Sequence, residues 1–313
     1  MRPVVIAHRG ASGYVPEHTR AAKAMAHSMG ADFLEQDVVA TRDDQLIVLH
    51  DVHIDRVTDV ALRFPNRHRD DGRYYARDFD LDEIRKLTAW ERMNADGSAV
   101  YPDRFPAQTG FNVIHTFAEE IQLINRLNRA TGRHAGIYPE IKRPAWHKQN
   151  GVDISPILLE QIRQFDGSKD TSLVYVQCFD DVEVERLKLE LQCPWPLVQL
   201  IGRNSWGETR TDYDFLRSRP GLEKIAVIAD GIGPHISHLY DIVDGQPQAT
   251  DLISDAHELD LVVHPFTFRA DDLPPGFATF EALVRYFVTE IDVDGLFTDF
   301  TDRVVDIVKA IEA

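Results

Sequence analysis

The sequence is poor in basic residues and has no long apolar run. Among its 313 residues, 34 are Lys or Arg and 51 are Asp or Glu, so the formal net charge is −17. Nucleic-acid binding requires a basic stripe, so we expect no nucleic-acid partner. The same charge disfavours docking on anionic lipid. No apolar run approaches the ~18 residues that a membrane-spanning helix needs, so we expect no integral membrane segment.

Cysteine is also scarce. Cys178 and Cys193 are the two cysteines, and they do not have the spacing of a metal-binding pair. Two unpaired thiols are therefore expected, although the sequence leaves a disulfide between them open. Before the first apolar string stand Met1-Arg2-Pro3, which is not the longer apolar stretch of a signal peptide. The expected location is cytoplasmic, or periplasmic if a signal sequence has been removed.

Short, continuous apolar strings recur about every 30 residues, which is the length of a βα unit. Strands that are buried on both faces have this pattern, and parallel sheets are buried in that way. From about residue 116 onward the chain holds six such strings, at Gly136–Ile141, Leu173–Cys178, Pro196–Ile201, Ala229–Gly233, Leu259–Pro265 and Gly295–Thr298. Val4–His8 and Phe33–Val39 add two more strands at the front, separated by a predicted helix at Arg20–Ser28.

Helical patterns lie between the strings. A capping box at Thr116–Glu119 opens a helix that ends near Gly132. Asp180–Leu191, Thr279–Ile291 and Asp302–Ile311 are amphipathic at the helical period. Eight βα units predict an α/β fold in which a parallel (β/α)8 TIM barrel carries its helices outside. A doubly wound open sheet is the alternative.

Two features interrupt this rhythm. Leu46–Leu49 follows Phe33–Thr41 after a tight turn, which predicts an antiparallel hairpin. A two-residue loop at Asp43-Asp44 would place Asp37 opposite His50, within one residue of register. Residues 52–112 show no βα pattern, and we interpret them as an inserted cap over the barrel mouth. The predicted organisation is a single domain over residues 1–313 with this cap at about 52–112.

Charged residues follow or end four successive strands. In barrels of this type, active residues lie at the C-terminal ends of the strands. Glu35 and Asp37 are two apart and so project to one face of their strand. The residues at these ends are His8 and Arg9, Glu35 and Asp37, His50, and then Glu140 and Lys142.

Three carboxylates at one barrel mouth need a counter-charge. At ~4 Å and an effective dielectric constant of ~20, each like-charged pair costs about 4 kcal/mol. Glu35, Asp37 and Glu140 therefore predict either bound protons or a bound cation. Ligands that are all oxygen favour a hard divalent ion, Ca2+ or Mg2+.

The remaining charged residues suit phosphodiester chemistry. Arg9 can bind a phosphate bidentately, and Lys142 supplies a point charge beside it. His8 and His50 could act as a general base and a general acid, because one imidazole can be neutral while the other is charged near neutral pH. The sequence does not decide which histidine has which role.

Taken together, these residues resemble the glycerophosphodiester phosphodiesterase family over essentially the whole chain. The likeness is strongest to the longer, periplasmic-type bacterial branch, in strings such as AHRGASGY, LEQD, YPEIK and GLFTDF. The motifs that carry it are His8-Arg9-Gly10, Pro16-Glu17-His18-Thr19, Glu35-Gln36-Asp37, His50-Asp51 and Glu140-Ile141-Lys142.

The resemblance implies metal-dependent hydrolysis of a small glycerophosphodiester, such as glycerophosphocholine or glycerophosphoethanolamine, to sn-glycerol 3-phosphate and an alcohol. It implies Glu35, Asp37 and Glu140 as metal ligands, His8 and His50 as acid and base, and Arg9 and Lys142 as phosphate ligands. A substrate pocket at Glu17, His264 and Phe297 is expected as well.

The sequence departs from the family's commonest pattern at two places. His18 stands where many relatives have Asn, and His264-Pro265-Phe266 stands where many carry a Trp, which puts the glycerol-facing wall in doubt. Two alternatives remain at this point: a related barrel phosphodiesterase acting on lysophospholipids, or a catalytically inactive module that binds metal or phosphate. The sequence leaves the oligomeric state open.

Overall fold

Eight parallel strands form the centre of the molecule. The computed structural model describes residues 2–106, 108–109 and 112–313. The barrel strands are β1 (Val4–Ala7), β2 (Phe33–Ala40), β4 (Gly136–Ile141), β5 (Val176–Cys178), β6 (Leu197–Ile201), β7 (Gly231–Pro234), β10 (Val262–Val263) and β11 (Gly295–Thr298). Their order around the sheet is β10-β7-β6-β5-β4-β2-β1-β11.

The two ends of this sheet meet and nearly close the barrel. After β10 the chain continues in extended form, and Phe268 forms a parallel bridge to Thr298 of β11. The backbone N–H of Phe268 donates to Phe297 O at 2.8 Å, and Phe297 N donates to Pro265 O at 3.1 Å. The predicted (β/α)8 barrel is therefore confirmed, and the open doubly wound sheet is wrong.

Helices surround the strands and end where the sequence indicates. The N-cap Thr19 accepts a hydrogen bond from Ala22 N, and Gly30 closes the first helix with φ 104°. Thr116 and Glu119 form the predicted capping box of the fourth helix. The helices that accompany the barrel are α1 (Arg20–Met29), α4 (Phe117–Thr131), α5 (Pro144–Gln149), α6 (Ile154–Ile162), α7 (Asp181–Leu189), α8 (Tyr213–Leu216), α9 (Arg219–Ile228), α10 (Leu252–His257), α11 (Phe280–Tyr286) and α12 (Thr301–Glu312).

Some elements differ from the predicted ones. The string Leu173–Cys178 begins with a 3-10 turn at Thr171–Leu173, so that the strand is shorter than predicted. The predicted helix Thr279–Ile291 divides into α11 and a π-helical turn at Phe287–Ile291. A small antiparallel hairpin outside the barrel, β8 (Tyr240–Val243) with β9 (Gln246–Ala249), was not predicted.

The hairpin after β2 has a register one residue away from the central prediction, which is within the predicted range of one residue. Its return strand is β3 (Leu46–Val48), and the pairs are Val38 with Val48 and Ala40 with Leu46. Asp37 therefore lies opposite Leu49, whose N–H donates to Asp37 O at 2.9 Å, and His50 is one residue further on. The reason is a three-residue loop: Thr41 N donates to Gln45 O, and Asp44 adopts φ 58°.

The described residues of the insertion (residues 52–112) pack around a hydrophobic cluster separate from that of the barrel. This cluster includes Val52, Ile54, Tyr74, Phe79 and Leu87. Its regular elements among the described residues are the short helices α2 (Val60–Arg63) and α3 (Leu81–Ile84) and a 3-10 turn at Ala76–Asp78. Of the predicted cap, Ala107, Gly110 and Phe111 lie outside the described residues, as does Met1 of the predicted domain.

The cysteine and membrane predictions can be compared with the described residues. Cys178 is buried and Cys193 is partly buried, and both are free thiols, so the open disulfide alternative is wrong. Within the part of the chain that the structure describes, none of the helices combines the length and the apolar character needed to cross a bilayer.

Candidate active site

The residues at the predicted strand ends meet in one cavity. β1 leads into His8 and Arg9, β2 carries Glu35, and β4 carries Glu140. The cavity has a volume of about 350 Å³. Of the predicted site residues it is lined by His8, Arg9, Glu35, His50, Glu140, Lys142 and Phe297. The remaining wall is formed by Gln177, Phe179, Leu200, Trp206, Glu208, His235, Phe266, Thr267 and Arg269.

Three buried carboxyl groups belong to this site: Glu35 and Glu140 line the cavity, and Asp37 is buried beside them. Asp37 of β2 is the register partner of Glu140 of β4. Burial, reinforced by the charge of Asp37, raises the pKa of Glu35 well above its usual range. Burial also raises the pKa of Glu140, although Lys142 Nζ lies 2.7 Å from its carboxyl group. Protons or a cation must therefore balance the charges here.

The arrangement fits a divalent cation. His18, Glu35 and Asp37 each offer a ligand atom, and these atoms lie within 4.8 Å of one another. Asp37 Oδ2 lies 2.7 Å from His18 Nε2, while Asp37 Oδ1 is buried without a hydrogen-bond partner among the described residues. A buried carboxylate oxygen with no donor is suited to a metal ion. Sequence reasoning did not include His18 in this group, although it named the residue.

His8 is held by the last strand of the barrel. Its Nδ1 lies 2.6 Å from Asp299 Oδ1. The other carboxylate oxygen of Asp299 accepts from Arg104 at 2.7 Å and from Arg269 at 2.8 Å. Burial, with the charge of Arg9, lowers the pKa of His8 to about 4, so the imidazole is neutral at pH 7. Since Nδ1 faces a carboxylate, it carries the ring proton and Nε2 is left as the acceptor.

His50 is held by a chain of ion pairs. Its Nδ1 lies 3.0 Å from Asp51 Oδ1, and Asp51 Oδ2 accepts from Arg92 at 2.6 Å. Arg92 also donates to Glu17 at 2.5 Å, and Glu17 in turn accepts from Arg9 at 2.9 Å. Burial lowers the pKa of His50, and the charge of Arg9 acts in the same direction. Both histidines therefore direct Nδ1 at a carboxylate within one site.

The comparisons with known proteins agree with this site. Residues 8–303 match the model of the glycerophosphoryl diester phosphodiesterase family. The chain belongs to this family. A glycerophosphodiester phosphodiesterase of Haemophilus influenzae is 40% identical, over 99% of this chain and 90% of that protein. A second, from Treponema pallidum, is 36% identical over 96% of this chain and 90% of its own length.

A solved structure shows the same fold. It is an Oleispira antarctica phosphodiesterase in complex with the product sn-glycerol-3-phosphate, with a TM-score of 0.66 and 19% sequence identity. The match covers 98% of this chain and 97% of that one. Family membership and the two relatives show that the chain is a phosphoric diester hydrolase acting on glycerophosphodiesters. The cluster of His18, Glu35 and Asp37 is suited to a divalent cation. The alternative of an inactive module is wrong.

The predicted substrate pocket is only partly supported by the positions of its residues. Phe297 lines the main cavity, while Glu17 lines a neighbouring cavity of about 220 Å³ that also contains His8, Arg9 and His50. His264 lines neither cavity.

The position of His264 has a structural explanation. Its Nδ1 lies 2.9 Å from the Tyr138 hydroxyl inside the barrel. A Cβ atom on Gly295, at the start of β11, would lie 2.7 Å from the His264 ring. The His264 ring thus lies in the barrel interior. Phe266, two residues further along the chain, lines the cavity instead.

Sequence reasoning missed several residues that line or support this cavity. Asp299 directly follows β11, so the rule that selected the other strand ends applies to it as well. Glu208 and Trp206 lie in the loop after β6, and Arg92 lies in the insertion; no motif or spacing marks them. Glu208 Oε1 lies 3.5 Å from Lys142 Nζ, a contact that only the folded chain creates.

Proposed function

We propose that His8 and His50 are the general acid and base of the glycerophosphodiester hydrolysis. The observation that carries this proposal is that both line one cavity while each turns Nδ1 towards a carboxylate, Asp299 or Asp51. Nε2 of each ring is then the nitrogen that faces substrate. One ring takes a proton from the nucleophile, and the other gives a proton to the leaving alkoxide.

The substrates that we propose are deacylated phospholipids such as glycerophosphocholine and glycerophosphoethanolamine. The nucleophile is either water or the free hydroxyl next to the ester on the substrate's own glycerol. In both cases the P–O bond to the head-group alcohol breaks, and the products are that alcohol and sn-glycerol 3-phosphate. Water adds directly in the first case, and it opens a cyclic phosphate in the second.

Glu35, Asp37 and Glu140 would hold the cation, with His18 supporting Asp37. Glu35 and Asp37 offer ligand atoms within 4.8 Å of each other and of His18, and Glu140 is the register partner of Asp37 on the adjacent strand. A bound divalent ion supplies positive charge next to the phosphoryl oxygens. We propose Ca2+ over Mg2+, because Mg2+ keeps several waters and usually takes only one or two carboxylates. Three buried carboxyl groups provide the larger oxygen set that Ca2+ uses.

Arg9 and Lys142 would bind the phosphate. Both line the cavity, and both contact acidic residues of the site: Lys142 Nζ lies 2.7 Å from Glu140, and Arg9 Nε lies 3.3 Å from Asp37. A guanidinium can hold two phosphoryl oxygens at once, and an ammonium adds a point charge. In an acidic protein, these two side chains make the cavity locally attractive to an anion.

The test is turnover of glycerophosphocholine by the His50→Ala protein, with His68→Ala as the control because His68 is exposed in the insertion. General acid–base catalysis contributes about 10²- to 10⁴-fold, so kcat should fall by that factor in the first variant and stay unchanged in the control. A His50→Ala protein that keeps most of its activity would remove the assignment.

The cation is tested separately. Chelation should abolish turnover, and Ca2+ should restore it at lower concentration than Mg2+ if the three carboxylates form the site. Restoration at lower Mg2+ concentration would contradict the choice of metal. Full activity in the chelated protein would contradict the cation itself.

A further inference from the structure

The pairing between β1 and β2 ends just before the acidic segment of β2. On this edge the register is Ile6 with Phe33 and Ala7 with Leu34, and it stops there. The chain then turns away, because Arg9 adopts φ 58° and Gly10 N donates to Ala7 O. This divergence lets the Arg9 backbone N–H reach Glu35 Oε2 at 2.5 Å.

A gap in strand pairing therefore lies beside Glu35 and Gln36. On the same edge of β2, hydrogen bonding to the hairpin segment begins only at Asp37, whose carbonyl accepts from Leu49 N. Along the opposite edge, β4 pairs with β2 continuously from Phe33 to Val38. A buried carbonyl that faces a gap needs a donor from elsewhere in the fold.

The donor is the side chain of Lys23 on α1. Its Nζ donates to the backbone carbonyl of Glu35, and the side chain is fully buried. The same ammonium forms an ion pair with Glu120 Oε1 of α4 at 2.9 Å. Glu120 Oε2 lies 2.6 Å from His115 Nε2. A connected set of buried polar groups thus extends from the metal-site strand to the outer helices.

We infer that Lys23 is a positioning residue of the metal site. Its ammonium replaces the missing strand partner of the Glu35 carbonyl and holds Glu35 and Asp37 at the spacing a cation requires. The inference rests on the proposed roles of Glu35 and Asp37 as ligands. Groups that hold metal ligands in place typically contribute 10- to 100-fold to metal affinity, although they do not touch the metal.

The simpler interpretation is that Lys23 and Glu120 only join α1 to α4. The two interpretations differ in what each variant changes. Glu120→Gln removes the ion pair but keeps the bond from Lys23 to the Glu35 carbonyl, so it should lower the melting temperature and leave the Kd for Ca2+ near that of the parent. The double variant Lys23→Met/Glu120→Gln removes both contacts without leaving a lone buried charge.

The experiment is calorimetric titration of Ca2+ into metal-free full-length protein, without substrate. We expect the double variant to raise the Kd by about 10- to 100-fold. Saturating Ca2+ should then restore kcat on glycerophosphocholine, which damage to the barrel as a whole would not permit. A folded double variant that binds Ca2+ like the parent overturns the inference.

Two additional variants keep the outcome interpretable. If the methionine variant does not fold, Lys23→Gln/Glu120→Gln retains a polar pair between the helices, and its Kd is judged by the same criterion. Glu35→Gln tests the proposed metal site separately from the role of Lys23. If it leaves the Kd unchanged, the proposed metal site fails. If it raises the Kd while the double variants do not, only the role of Lys23 fails.

Discussion

Two buried glutamates show how the barrel and the insertion treat charge differently. Glu120, on α4 of the barrel, lies between Lys23 and His115, which lower its pKa to about 2 against the opposing effect of burial. Glu91, in the insertion, is equally hidden, but its Oε2 has no hydrogen-bond partner within residues 2–106, 108–109 and 112–313. Burial, together with the charge of Glu17, raises the pKa of Glu91 to about 7. The barrel pairs its buried charge, whereas in the insertion burial shifts the Glu91 carboxyl group towards its protonated form.

The same contrast applies to the two histidines of the site. His8 is almost fully buried and faces Asp299, which two arginines hold. The His50 side chain is 26% exposed, and its partner Asp51, directly before the insertion, is 34% exposed. A rigid, dry support fixes the orientation of an imidazole more firmly than a partly solvated one, because water can replace the weaker partner.

The largest effect expected from this contrast concerns the two supporting carboxylates. Asp299→Asn should lower kcat by about 10²- to 10⁴-fold, since an amide can stabilise the wrong tautomer of His8. Asp51→Asn should lower kcat by only about tenfold, because water can reach His50. Steady-state kinetics on glycerophosphocholine measures both, and an inverted ranking would show that the exposed support is the more important one.

The next effect in size is on stability. Glu120→Gln leaves Lys23 buried beside an uncharged amide, and breaking a buried pair in this way costs about 3–5 kcal/mol. In the parent, the folded pKa of Glu120 lies below its ordinary value of 4.5, so the stability it contributes is complete above pH 4.5 and is lost as the pH falls towards 2. Chemical denaturation at pH 7 and pH 3 should therefore show a smaller cost at the lower pH. An equal cost at both values would contradict the ion pair.

Glu91→Gln should stabilise the folded protein, whereas Glu120→Gln should destabilise it. The folded pKa of about 7 lies above the ordinary 4.5, so the folded protein holds a proton that the unfolded chain releases between these values. The penalty for burying Glu91 is absent below pH 4.5 and complete above pH 7. At 1.36 kcal/mol per pKa unit, the variant should gain about 3 kcal/mol relative to the parent between pH 4.5 and pH 8. A difference that does not change with pH would show that Glu91 is ionised in the folded protein.

The smallest effect is expected at the surface of the insertion. Arg63 lies 2.9 Å from Asp59, one helical turn away, and its side chain is 56% exposed. Pairs of this kind contribute about 0.3–0.5 kcal/mol. Arg63→Gln should change the free energy of unfolding by no more than that. If Arg63→Gln lowered the free energy of unfolding nearly as much as Glu120→Gln, ion pairs in the insertion would stabilise the protein as strongly as the buried pair in the barrel, which contradicts the proposed difference.

The strand bounds show what could be predicted from sequence patterns. Gly136–Ile141 and Gly295–Thr298 were predicted to the residue, because both are continuous apolar strings and lie between clear helix signals. The capping box at Thr116 located α4 for a similar reason, since a cap is a local interaction. The hairpin register was predicted one residue away from its actual position, because loop length depends on whether Asp44 adopts a left-handed conformation.

Site residues, too, were predictable from the sequence where a local pattern marks them and were not predictable elsewhere. His8, Arg9, Glu35, His50, Glu140 and Lys142 were found by reading strand ends, and all of them line the cavity. His264 contacts Tyr138 inside the barrel while Phe266 lines the cavity, and the sequence alone did not indicate which of the two side chains would reach the cavity. Lys23 and Arg92 had no local signal, since their partners lie 12 residues away or more.

The sequence by itself determined the barrel and the main acidic and basic groups of its mouth, because strand burial and strand ends are local properties of the chain. Only the tertiary structure decided how these groups are held. It brought Asp299 to His8, Arg92 to Asp51 and Lys23 to the Glu35 carbonyl. The physical reason is that closing the barrel and packing helices on it join segments far apart in the chain, and a buried charge must take whichever partner that closure brings near.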